Sequence, residues 1–414
     1  MQVFLAVCVL VSGAVAWRLA PVSTGAPVHR IFTGEQRTLT PVTPTAPLSK
    51  ALPRGPFFRV VYGYGGTPRT PAQEGHRYRA MVMQHDDAGV IPRLRARNPR
   101  LKVFMYADMM STDPRAPDGV PGWVGYTDAD ANHPDWFLRD PDGNRLVFVG
   151  NETSHVMDVG NVAYQNAGLD QVIAKAKAGG FNGVFLDDAN ASLRWVIAGG
   201  SVECPTYPTD AAWQAAVRSF LANVTPQLHQ AGLSVIANIG GSTVTPGLWQ
   251  SWNRRLDGAM EESFGNGGAG RDSIEDGQWL PKLRHALWSE AHGKLSLDHT
   301  VTSTRRGARY GFATMLLAAN GENLFSASEG AYTTEVWWPE YRTARSLGSP
   351  TGRYRVLRGG IYRRTFAHGL VLVNPHVTTS RRVRLRGTYS GSGLGRIRSV
   401  VLGPTSGVVL VRRS

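Results

Sequence analysis

Gly183-Val184-Phe185-Leu186-Asp187-Asp188 runs a short apolar stretch into two adjacent carboxylates. The apolar part has the composition of a buried strand. An acidic pair at a strand's C-terminal end commonly binds or transforms something. In a (β/α)8 barrel that end faces the active-site mouth, so this stretch predicts further strands and further acids on the same rim.

From residue 57 onward, short β-like runs alternate with longer segments that can form helices. The predicted strands are 58–64, 79–83, 101–106, 183–186, 234–238, 258–262, 294–297 and 323–326. Helices are expected over 163–178, 210–231, 279–291 and 304–319, with Asp210 as an N-cap and Gly232 as a stop. Eight alternations favour an α/β fold, a (β/α)8 TIM barrel over 56–350, rather than an open nucleotide-binding sheet. After residue 352, period-two alternation and frequent Gly, Pro and Ser predict short strands at 354–364, 369–374, 381–386, 397–402 and 407–411. They suit a small antiparallel β-sandwich over 351–414. Residues 107–157 break the rhythm as a long loop carrying Trp123, Trp136 and Phe137, and loops of that length generally serve a site.

Composition permits this architecture. The 414 residues are 42% hydrophobic and only 18% charged, which supports a large core and argues against disorder. Formal charge is +14, from 39 Arg and 6 Lys that read as dispersed along the chain. Such a surface attracts polyanions. Without zinc-finger spacing or a basic helix, however, no specific nucleic-acid partner is expected. Cys8 and Cys204 are the two cysteines, and the first lies in a leader-like segment. The mature chain is therefore expected to hold no internal disulfide. Residues 1–16 end Ala14-Val15-Ala16 after an apolar stretch, which reads as an export signal, with an uncleaved membrane anchor as the alternative. Residues 17–55 read as a Thr/Pro-rich linker. The expected location is secreted or cell-envelope, and the expected state is monomeric.

Strand alternation sorts the acids. Phe185 and Asp187 share one face while Leu186 takes the other, so Asp187 is the carboxylate aimed into the rim. Asp188 would contact a sugar hydroxyl or orient its neighbour. Asp257-Gly258-Ala259-Met260-Glu261-Glu262 repeats the arrangement at the sixth strand. Glu262 is favoured as the catalytic member, with Glu261 as the alternative. Asp108, Asn238, Asp298 and Glu329 follow the third, fifth, seventh and eighth strands and are expected to bind substrate, with Trp136 stacking on a sugar face.

Glycosidic cleavage needs one carboxylate as nucleophile or base and another protonated to assist the leaving oxygen. Asp187 and Glu262 suit these roles, by a retaining route if the groups lie about 5 to 5.5 Å apart. No cofactor or metal is expected, because no compact His-x-His or His-Glu-x-x-His spacing occurs. The competing readings are a noncatalytic carbohydrate-binding barrel and a metal-dependent polysaccharide hydrolase or deacetylase drawing on Asp187, Asp188, His299 and His85.

The pair of motifs Phe185-Leu186-Asp187-Asp188 and Asp257-Gly258-Ala259-Met260-Glu261-Glu262 resembles that of glycoside hydrolase barrels in exported bacterial proteins. The resemblance spans about residues 57–350, and the strand-rich tail is similar to the β-sandwich that often follows such barrels. More distant α-galactosidase-like barrels place a nucleophilic Asp after strand four and an acid/base after strand six. That likeness implies Asp187 and Glu262, acting on a polysaccharide or oligosaccharide.

Overall fold

The computed structural model describes residues 57–61, 77–116, 118–119, 121–200, 203–265, 278–329, 332 and 336–414. The expected leader and linker, residues 1–55, lie outside the described residues.

Eight parallel strands form one sheet in sequence order: β1 Phe58–Val61, β2 Ala80–Met83, β3 Lys102–Asp108, β4 Gly183–Asn190, β5 Ser234–Gly240, β6 Gly258–Glu261, β7 Leu295–Val301 and β8 Asn323–Ser328. A parallel bridge between Phe57 and Phe325 joins the last strand to the first, so the sheet closes into a barrel. Alternate residues fill its interior: Phe58 and Val60, Val82, Phe104 and Tyr106, Phe185, Ile236, Met260, Leu297 and Leu324 form one apolar cluster. This phase fixes which side chain of each later residue pair looks into the barrel mouth.

Helices cover the outside. They are α1 Ile91–Arg97, α2 Val162–Ala178, α3 Asp210–Gln230, α4 Leu248–Asn253, α5 Trp279–Ala291 and α6 Arg305–Ala318. Asn161 caps α2 by accepting from Ala163 and Tyr164, Thr209 caps α3, and Thr304 caps α6. The α3 cap is thus one residue earlier than the expected Asp210. Asp210 instead occupies the first turn and accepts a 2.6 Å bond from Ser192.

The stretch after β3 is not an unstructured loop. It contains Ser111–Thr112, Val147–Phe148 and Asn151–Val156 in a three-stranded antiparallel sheet, and a helix at Tyr126–Asn132. Strands of two residues are too short for periodicity to show. Its aromatics serve packing: Trp123 is fully buried, donates to the Gln165 carbonyl at 3.0 Å and meets Phe220 edge-on.

Beyond the barrel, Pro339–Ala344 is a short helix, and six antiparallel strands follow. They are β9 Arg355–Leu357, β10 Ile361–Phe366, β11 Gly369–Asn374, β12 Arg381–Gly391, β13 Leu394–Leu402 and β14 Ser406–Arg413, in the order β9-β10-β11-β14-β12-β13. Val371, Val373 and Val409 join the core shared with α6. The opposite face packs Leu370, Leu372 and Leu410 against Val383 and Leu402 of the bulged β12–β13 hairpin, so the sheet encloses a core of its own.

Glycine is required where β4 begins. A Cβ on Gly183 would stand 2.1 Å from the Ser234 carbonyl oxygen, a backbone atom that cannot swing aside. Gly183→Ala is therefore expected to lower stability by about 2 kcal/mol. Urea unfolding reads this as a lower midpoint at unchanged slope, and an unaltered midpoint would refute it.

Candidate active site

Strand β4 does not stop before its acids. It runs on through Asp187 and Asp188 to Asn190, with a bulge: Leu186 pairs with Ala237 and Ala189 with Ile239, so Asp187 and Asp188 together face the single residue Asn238 of β5. Bulges are rare between parallel strands and recur beside active sites, where they re-aim side chains. Asp188 absorbs the extra residue with φ 63°, a left-handed conformation that Asp tolerates better than most residues. Strict alternation would turn Asp188 to the helices. Instead it is only half-buried and its charge interacts with Asp187, Asp108 and Glu262.

Asn238 ties the site together. Its side-chain Nδ2 donates to Asp187 Oδ1 at 2.9 Å and to Glu262 Oε2 at 2.9 Å. An amide's two N–H bonds diverge by about 120°, so acceptors on each lie about 5 Å apart. Asp187 Oδ1 also accepts the Asp188 backbone N–H at 3.0 Å, and its carboxylate is hydrogen-bonded by Tyr106. The other oxygen of Glu262 accepts from the Tyr332 hydroxyl. Asp108 pairs directly with Asp187 across β3 and β4, and its Oδ1 accepts the Met110 N–H at 2.8 Å.

Four carboxyls so close in a barrel mouth cannot all ionise cheaply. Burial pushes Glu262 up to about 7, reinforced by the Asp187 charge and opposed by the bonds from Tyr332 and Asn238. Burial likewise lifts Asp108 to about 7 against its bonds from Ser111 and Met110. Asp187 is raised by burial, with Tyr106, Asn238 and the Asp188 N–H pulling the other way. Asp188 is raised well above its ordinary value by burial and by the three neighbouring acids.

Other expected residues stand elsewhere. Glu261 faces outward into α5, with Lys282 Nζ at 3.3 Å and His285 Nδ1 at 3.2 Å. Burial raises its pKa, but those two partners prevail and hold it below the ordinary range. The seventh strand was expected to end at residue 297, whereas β7 continues to Val301. Asp298 therefore lies inside the strand on its helix-facing side, fully buried, accepting from Ser296 Oγ at 2.7 Å and Asn323 Nδ2 at 3.2 Å. This corrects the expectation that Asp298 contacts substrate. Trp136 is corrected too: it is 3% exposed, stacked on His133 at 3.8 Å between ring centroids and packed against Tyr164 of α2. Glu329 directly follows β8 and lies close enough to His299 to act on its charge.

Sequence reasoning missed three residues, Tyr106, Tyr332 and Trp195, and gave a fourth, His299, only a metal-binding role in a competing reading. Tyr106 and Tyr332 are barrel-interior aromatics whose hydroxyls reach the acids, and Tyr332 holds φ 54°. His299 takes the inward position that Asp298 does not. It is fully buried with its ring 4.7 Å from that of Tyr332, and burial lowers it to about 3, so it stays neutral. Trp195, in the turn after β4, is 41% exposed and lies over Gly241 at the end of β5. Among the described residues, no three His, Cys, Asp or Glu side chains gather as a metal site, and Cys204 is a buried free thiol.

A closed parallel barrel with carboxyls converging at the C-terminal ends of β3, β4 and β6, followed by an antiparallel accessory sheet, is the architecture of a barrel-type glycoside hydrolase. The chain belongs to hypothetical glycosyl hydrolase family 15, whose model matches residues 95–370. It is thus a glycosidase-type protein acting on carbohydrate. No curated protein matches the sequence. Among solved structures it is similar to the glycoside hydrolase domain of PelA from Pseudomonas aeruginosa, at 16% identity over 67% of this chain and 96% of that one, with TM-score 0.45. Ega3 from Aspergillus fumigatus, solved in complex with galactosamine, matches at 13% identity over 69% and 95% of the two chains, with TM-score 0.44. An Anoxybacillus alpha-amylase matches at 10% identity over 86% and 98%, with TM-score 0.47.

The misplaced acid supplies a test of the barrel's phase. Burial lifts Asp298 to about 8, so above pH 4 the unfolded chain loses this proton while the folded chain keeps it. The stability that the protonated carboxyl confers is full below its unfolded pKa and is lost as pH rises through about 8. Asp298→Asn removes the titration. It is expected to be stabilising relative to the parent by on the order of 1–3 kcal/mol at pH 8 and by far less at pH 4. Parallel thermal melts that show the same difference at both pH values would show that Asp298 is not buried as a neutral acid.

Proposed function

We infer that the chain hydrolyses an extracellular or cell-envelope polysaccharide with retention of configuration, Asp187 acting as nucleophile and Glu262 as acid/base. The observation that carries this reading is the shared Asn238 amide, which brings one oxygen of each carboxylate to 2.9 Å from the same nitrogen. The resulting separation of about 5 Å matches direct attack, whereas a water-mediated inverting route leaves about 6.5 to 9.5 Å.

The environments divide the labour. Glu262, lifted to about 7 by burial and by Asp187, is still largely protonated in mildly acidic solution and can deliver a proton to the departing oxygen. Asp187 holds three hydrogen bonds that favour its charged form, which suits an attacking carboxylate. Once Asp187 is consumed in the glycosyl-enzyme, its charge disappears and Glu262 loses a proton more readily. It then serves as base toward the incoming water. Asp188, Asp108 and Glu329 are in reach of the mouth for substrate hydroxyls, and Asn238 aligns the pair. Trp195 offers the exposed aromatic face that a sugar ring can cover. Export rests on residues 1–16 as read from the sequence.

Asp187→Asn and Glu262→Gln are each expected to lower kcat by about a thousandfold or more while leaving the melting temperature near that of the parent. Substrates are screened among α- and β-linked galactans, glucans and amino-sugar polymers, with the first-formed product anomer read by NMR. Full activity in either purified variant, or an inverted first anomer, would overturn the assignment. kcat/KM is also expected to fall as pH rises through about 7, where Glu262 gives up its proton. A rate that is flat across that range would remove Glu262 as the acid. Trp195→Ala should raise KM more than it lowers kcat, and a kcat-only effect would place Trp195 outside the binding cleft.

A further inference from the structure

The positive charge of this chain is not dispersed. Residues 351–414 contain 13 Arg, no Lys and no acid, while the other 350 residues hold 32 basic side chains against 31 acidic ones. The accessory sheet thus carries nearly the whole net charge of +14. Ten of its 13 arginines are exposed.

Strand geometry gathers five of them. On β12, Val383 and Leu385 point into the sheet's own core, so Arg382, Arg384 and Arg386 point outward. On the neighbouring β13, Ile397 and Val400 point inward, and Arg396 and Arg398 outward. All five are exposed, and among the described residues none is paired with an acidic side chain. Elsewhere in the sheet, Arg355 lies directly opposite Arg363 across β9 and β10. Like charges placed so weaken a sheet. Residues 351–414 contain no acidic side chain that could offset the five arginines of the hairpin at the other edge of the sheet.

We propose that the outer face of the β12–β13 hairpin binds a carboxylated polysaccharide, a polymer of uronic acid type, and tethers it to the chain that carries the catalytic barrel. Choosing a polysaccharide rests on the glycosidase reading of the barrel. The guanidinium fork engages a carboxylate through two parallel N–H bonds, which an ammonium does not, and the sheet is built with arginine alone. A nucleic acid fits less well because the one aromatic of these two strands, Tyr389, is buried in the sheet's core and cannot stack a base. A tether of this kind raises the local concentration of polymer at the barrel without touching the reacting bond.

The test uses the full chain and a triple variant, Arg382→Gln, Arg384→Gln and Arg398→Gln. Polygalacturonate is the probe, neutral dextran the control, and duplex DNA and vesicles of phosphatidylserine the competitors, titrated by calorimetry across a salt series. The parent is expected to bind polygalacturonate and not dextran, with affinity falling steadily as salt rises. The triple variant should lose about tenfold or more at low salt and show a shallower salt dependence, with its melting temperature kept. Equal binding by parent and variant, no binding by the parent, or tighter binding to DNA or vesicles than to polygalacturonate would each overturn the proposal. The readout requires no turnover. A chain that binds polygalacturonate but cleaves no glycan overturns the glycosidase reading alone, whereas one that cleaves a glycan but binds no polygalacturonate overturns this proposal alone.

Discussion

One side-chain amide sets the terms for the rest of the site. Asn238 gives its two N–H bonds to Asp187 and Glu262, and so fixes the separation of two groups that would otherwise repel. Carboxylates in a low-dielectric mouth are costly, and hydrogen bonds to the charged form offset part of that cost. Tyr106 on β3 and Tyr332 after β8 add further donors. The result is a pair held apart by a rigid spacer, each member with its own donors, instead of two acids sharing one proton.

The outward-facing acid beside this pair is as informative as the pair itself. Glu261 and Glu262 are adjacent in sequence, yet one meets Lys282 and His285 on α5 and the other meets Asn238 and Tyr332 in the barrel. A buried carboxylate with two cationic or hydrogen-bonding partners clamps helix to strand, and breaking such a pair is far more costly than never having it. Glu261 holds the end of β6 against α5, and through it the position from which Glu262 projects.

Much of the barrel was legible because its strands are buried on both faces and read as short apolar runs between helical segments. Gly183 to Leu186 and Ser234 to Asn238 showed themselves in this way. Strand ends did not. In the sequence Asp298 reads as following its strand, because Leu295-Ser296-Leu297 ends the obvious apolar run, while the hydrogen-bonded ladder goes on through Asp298, His299 and Thr300 beside β8. A polar residue deep in a strand is tolerated when its partners satisfy it: Ser296 stands two residues back on the same strand, but Asn323 comes from the neighbouring β8, a pairing that the local sequence does not show. Trp136 failed for a related reason: an aromatic in an insertion looks like a binding surface until short strands fold the insertion over it. The boundary at residue 351 and the arginines beyond it were both legible in the sequence; which of the 13 share an outward face was not, because that depends on the register and bulges of β12 and β13.

The bulge at Asp187 and Asp188 also divides strand β4 into two frames. Below it, Val184 to Leu186 keep step with β5 and belong to the core. Above it, Ala189 and Asn190 pair with Ile239 and Gly240 one residue out of step, and they belong to the mouth. Gly240 has no Cβ where the Asn190 side chain lies, so the upper frame has its own close fit. A strand with two frames lets the core and the mouth change independently: a substitution that repacks the barrel interior need not rotate the acids, and a change in the mouth need not disturb the ladder beneath it.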